Sequence, residues 1–114
     1  FESIHSKLNI PSIIHPSAII EDSAIVNNGC QIMAGAIIGS NVIVGENCII
    51  NSGAIVSHNA VIDNTSHITP GAIIAGHVSI GKRVTVGMCA TVYIGLSISN
   101  DTVINNNERI IEDI

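Results

Sequence analysis

Two histidines, His58 and His67, stand nine residues apart in the stretch "VSHNAVIDNTSH", against a background of isoleucine, valine and small residues. An imidazole can ligate a metal, act as a general base or simply face water. Cys30, Cys48 and Cys89 add candidate nucleophiles, and Lys82 with Arg83 in "GKRV" adds candidate phosphate partners. Which of these chemistries is available depends on where each side chain is placed, and so on the elements that carry it.

Composition narrows those elements. The 114 residues are 46% hydrophobic but only 2% aromatic, so a core must be built from small and β-branched aliphatics. The length is that of one domain. A net charge of −5 with four Lys plus Arg gives no basic stripe, so neither nucleic acid nor an anionic membrane is expected as a partner. Apolar runs are broken every few residues, far short of the roughly 20 residues of a membrane-spanning helix. The odd number of cysteines leaves one unpaired under any disulfide scheme, and a reducing, cytoplasmic location is expected.

The chain repeats with a period of six. From Ile14 to Ile110 every sixth residue is Ile or Val, and one step back is Leu8. Four residues after each of these the chain is mostly small, as at Ala18, Ala24, Cys30, Ala36, Cys48, Ala54 and Ala60. The small residue and the next aliphatic are two apart, so both point to one side of a short strand. Three hexads close a triangular coil of 18 residues, and coils stack in parallel about 4.8 Å apart. The expected fold is therefore all-β, a parallel β-helix of hexapeptide repeats with about six coils. Corner residues agree: Gly29, Gly35, Asn41, Asn47, Gly53, Asn59, Gly71 and Gly95 tolerate a left-handed backbone. Regularity fades after about Ser97, where "NNNERIIEDI" predicts a final coil or a cap.

Stacking n on n+18 places His58 beneath Gly76 and Asn59 beneath His77. A corner imidazole one coil from a glycine N–H is the minimum equipment for acyl transfer, a base and an oxyanion donor. On the residues alone a solvated corner histidine is the favoured reading of His58. His67 points out from a strand face as a surface or interface residue, and His77 and His15 read as structural or solvated. The histidines occupy different columns, a poor ligand set within one chain, so no metal is expected. Cys30 and Cys48 should be stacked, inert core thiols. Cys89 sits at a corner and is expected to be exposed. Lys82 and Arg83 either meet cofactor phosphates or occupy a solvated corner.

The run "NSGAIVSHNAVIDNTSHITPGAIIAGHVSIGKRVTVG", with the earlier "IHPSAII", resembles the sialic-acid O-acetyltransferase and bacillosamine-type sugar N-acetyltransferase (NeuD/PglD-like) family, from about Ile14 to Leu96. The resemblance implies a left-handed helix, acetyl-CoA as co-substrate, and an amino or hydroxyl group of a sugar or nucleotide sugar as acceptor. It also implies a homotrimer with sites in the clefts between subunits. Carried over by position, His58 is the catalytic base, and Gly76 is the glycine whose amide meets the thioester carbonyl, binding cofactor and substrate alike. His67 is a second active-site histidine lining the acceptor side of the same cleft. Asn59, the helper of His58, departs from the family, which has Asp or Glu there. Residues 1–13 resemble the tail and linker of an N-terminal nucleotide-binding domain, with residues 14–114 as the acyltransferase domain. The family's closing Gly-x-Pro-Ala segment is missing after Ile114, as in a fragment of a longer enzyme. The expected function is direct acetyl transfer without a covalent enzyme intermediate. The alternative is a non-catalytic or decayed trimeric β-helix scaffold, favoured by Asn59 and by the missing acceptor-binding domain; a metal-dependent hydratase is disfavoured by the histidine columns.

Overall fold

The computed structural model describes residues 10–114, so Leu8 and most of the 1–13 segment lie outside the described residues. Within them the chain is all-β: seventeen two-residue strands, from Ile13–Ile14 to Arg109–Ile110, fall at six-residue intervals. They form three parallel sheets, two of six strands and one of five, in which each strand pairs with those three positions away in the chain order. This is a β-solenoid that matches the left-handed β-helix, with five full coils and two strands of a sixth. The register is the expected one throughout, as in Ile55↔Ile73 and His67↔Thr85. The three sheets are the faces of a triangular prism, and the turns between them are its corners.

From Gln31–Ile32 onward each strand buries its second residue. Ile32, Ile38, Val44, Ile50, Val56, Ile62, Ile68 and Ile74 are fully buried, interleaved with the small inward residues Ala36, Ala54, Ala60 and Ala72. One inward column is polar. Cys30 Sγ–H donates to the Gly45 carbonyl at 3.0 Å, Cys48 Sγ–H to Asp63 at 3.1 Å, and Ser66 Oγ–H to Gly81 at 2.7 Å. These thiols and this hydroxyl satisfy corner carbonyls that a fully aliphatic column would leave unpaired. The Cys30 thiol beside Cys48, together with burial, pushes the Cys48 thiol up, so it stays protonated and inert.

All eight corner residues expected to be left-handed have positive φ. Six further positions share that conformation, namely Thr65, His77, Arg83, Cys89, Asp101 and Asn107. The coil geometry sets the backbone there and the residue conforms. The coil expected after Ser97 is present and regular: Ile98, Ile104 and Ile110 remain buried and keep the register. Beyond Ile110 the chain supplies a cap. Ser99 N–H donates to the Ile114 carbonyl at 2.9 Å and Ile114 N–H to Ser97 at 3.2 Å, covering the edge of the five-stranded sheet. No helix among the described residues is long and apolar enough to cross a membrane.

Candidate active site

His58 lies in the corner that follows Ile55–Val56 and precedes Val61–Ile62, between the second and third sheets. Its side chain is exposed, yet three contacts define the ring. His58 Nδ1–H donates to Asn59 Oδ1 at 3.2 Å, which leaves Nε2 with its lone pair free to take a proton. The Cε1–Nε2 edge lies against Gly76, where an added Cβ would be 2.8 Å from both atoms. His77 meets the ring edge to face, with centroids 5.2 Å apart. The n+18 rule therefore places His58, Asn59, Gly76 and His77 together as expected.

Gly76 is glycine for a different reason from the corner glycines. It carries no positive φ; what it gives is room for an imidazole. Gly76 is buried, and the His58 ring lies where its Cβ would be. Its carbonyl accepts from Gly95 N–H at 3.0 Å, but its own N–H has no hydrogen-bond partner among the described residues. It is a donor without an acceptor, next to an imidazole.

Gly39 is a supporting residue that the sequence reading missed. A Cβ there would approach the His58 backbone N to 3.0 Å and the Val56 carbonyl to 3.3 Å, so the coil below seats the His58 corner closely on a glycine. The signal was present: Gly39 precedes the left-handed position by two and stacks under Ser57 in the same 18-residue register. His77 was placed correctly over Asn59, but its ring contact with His58 is not legible from types and spacing.

His67 stands elsewhere. It opens the strand His67–Ile68 on the first sheet, stacked between Ile49 and Thr85, so it faces out from the side opposite the His58 corner. Within one chain the two histidines share no site. His67 is half-buried, its Nε2 accepts from Asn51 Nδ2–H at 3.1 Å, and burial lowers its pKa. It is thus held as a neutral imidazole. His15 Nδ1 accepts from Ser17 N–H at 3.0 Å and is exposed at another corner. No cluster of three or more His, Cys, Asp or Glu side chains suited to a metal occurs among the described residues.

Arg83 is engaged with Asp101 one coil up, Nε–H to Oδ1 at 2.6 Å and Nη2–H to Oδ2 at 3.2 Å. The Arg83 guanidinium holds the Asp101 carboxyl below its usual range. This pair lies at the corner between the third and first sheets, apart from His58. Cys89 is exposed, as expected, and all three cysteines are free.

Comparison with known proteins bears on this geometry. Residues 23–58 match the family model of the bacterial transferase hexapeptide (six repeats). Comparison with curated protein sequences gave no match. Among solved structures, a His-to-Asn mutant of perosamine N-acetyltransferase from Caulobacter crescentus, in complex with CoA and GDP-perosamine, is 30% identical with a TM-score of 0.95. The acetyltransferase domain of PglB from Neisseria gonorrhoeae, in complex with acetyl coenzyme A, is 28% identical with a TM-score of 0.96. Each alignment covers 99% of this chain and 56% of the other, so the chain spans little more than half the length of these relatives. The UDP-N-acetylglucosamine acyltransferase of Francisella novicida is 26% identical, with a TM-score of 0.80 over 88% of this chain and 44% of its own. The chain is a hexapeptide-repeat β-helix, similar in sequence and fold to the sugar acetyltransferases.

Proposed function

We propose that this chain is the acetyl-CoA-using domain of a sugar acetyltransferase, acting on an amino or hydroxyl group of a nucleotide sugar. The observation that carries the reading is the placement of the His58 ring over Gly76, with Nδ1 bound to Asn59 and Nε2 left free. In this mechanism the acceptor's nitrogen or oxygen attacks the thioester carbonyl while His58 Nε2 takes its proton. The Gly76 N–H donates to the tetrahedral oxyanion, the C–S bond breaks, and the thiolate leaves and is protonated by the imidazolium. No acyl-enzyme forms. Support for an amine acceptor comes from the perosamine N-acetyltransferase likeness at 30% identity.

A homotrimer fits the same reading. Ile19, Ile37, Ile55 and Ile73 form an outward isoleucine ladder on the second sheet, and Ile25, Ile43 and Val61 another on the third. Such faces are apolar enough to be buried between copies. His58 of one copy and His67 of the next would then share a cleft that no single chain contains. Residues 1–13 as linker to an acceptor-binding domain, and a cytoplasmic supply of acetyl-CoA, belong to the same proposal.

Asn59 supports a second reading, a scaffold or decayed enzyme, because an amide sets the tautomer but cannot stabilise the imidazolium by charge. Release of CoA thiol from acetyl-CoA, with GDP-perosamine as acceptor probe, separates the two. Turnover that depends on His58 supports the enzyme. Acetyl-CoA failing to bind by calorimetry, together with no thiol release, would favour the scaffold.

A further inference from the structure

At the third position of the His58 corner the backbone is left-handed in four successive coils, at Asn41, Asn59, His77 and Gly95. Asn41, Asn59 and Gly95 are residue types that adopt positive φ readily. His77 holds the same conformation, with φ 59°, but brings a ring that the corner itself does not need. That ring meets His58 with planes at 86° and centroids 5.2 Å apart. His77 N–H also donates to the His58 carbonyl at 3.0 Å, which fixes the two corners to each other.

We infer that His77 is a positioning residue for His58, the contact that keeps an exposed imidazole folded against Gly76 instead of swinging into water. The inference rests on the reading of His58 as the base. Asn59 holds one ring nitrogen and Gly76 receives the opposite edge, but a single 3.2 Å hydrogen bond at an exposed corner is easily exchanged for water. Among the described residues, the adjoining corners and strands offer no other ring. The corner below is Gly39, Ser40 and Asn41, the corner above is Ala75, Gly76 and His77, and the outward strand residues alongside are Ile55, Val61, Ile73 and Ser79. His77 is the one ring and the one titratable group among them.

Two variants test this. His77→Asn keeps the left-handed backbone and removes the ring; His77→Phe keeps a ring edge without its nitrogens. Side-chain three-bond couplings by NMR read the order of the His58 ring, and thiol release from acetyl-CoA with GDP-perosamine reads kcat, with His58→Ala measured in parallel. In His77→Asn the His58 couplings should become averaged and kcat should fall about 2- to 10-fold, the range of one aromatic pair. Acetyl-CoA Kd and Tm should be unchanged, since Asn suits the corner at least as well as His. His77→Phe should restore both ring order and rate. Unchanged couplings and unchanged kcat in His77→Asn would overturn the inference. If His58→Ala lowers turnover and His77→Asn does not, this inference alone fails; if neither lowers it, the assignment of His58 as base fails with it.

Discussion

The imidazole of His58 occupies the space where a side chain on Gly76 would begin, 2.8 Å from the position of a Cβ there. The ring can lie there because Gly76 has no side chain. Adding a methyl at Gly76 must move the ring, and the ring is the far end of an exposed side chain that can swing away.

Gly76→Ala is therefore expected to leave the fold nearly intact, within about 1 kcal/mol, while turnover falls about 10- to 100-fold through misplacement of the base. A thermal melt and a kcat measurement on one preparation check both halves. Full activity in a folded variant would mean that the ring's place over Gly76 has no bearing on the chemistry.

Ile62 and Ile68 are fully buried in the central coils. Replacing either by Ala should cost about 2–5 kcal/mol, because neighbouring coils are fixed in register and cannot collapse onto the cavity. Denaturant unfolding measures it. A loss below about 0.5 kcal/mol would contradict the inward assignment.

The same register explains how much of this protein is legible in its sequence. Ile14 to Ile110 at intervals of six dictate strand, coil and stack, so the n+18 rule gives His58 over its correct neighbour before any coordinates are known. What it does not give is side-chain direction at the corners. The ring contact between His77 and His58 depends on rotamers, and the left-handed φ of Thr65, Arg83 and Cys89 depends on coil geometry overriding residue preference. His67 shows the opposite limit: nine residues from His58 in sequence, it is half a coil away and on the far side of the prism, because nine is half of 18.

His67 also predicts a pH effect on stability. Burial lowers its pKa in the folded protein, so below about pH 6.5, the ordinary imidazole value, the unfolded chain binds a proton that the folded chain resists. Stability should be full above that pH and decline as pH falls toward the depressed folded value. His67→Gln should flatten the decline in Tm between pH 7.5 and 5.5. An unchanged slope would show that His67 is not held neutral.

The isoleucine ladders predict a cyclic trimer. Sedimentation equilibrium at micromolar concentration should give three times the chain mass, and Ile55→Lys, placing a charge in the middle of the second-sheet ladder, should shift it toward the monomer. A wild-type monomer would remove the shared cleft from the proposal.

The most direct test of the central claim is His58→Ala, assayed by thiol release from acetyl-CoA with GDP-perosamine and by calorimetric binding of acetyl-CoA. The base acts chiefly in the transition state, so kcat should fall about 10²- to 10⁴-fold while acetyl-CoA affinity stays within about twofold. Turnover in His58→Ala equal to that of the unaltered protein would contradict the account.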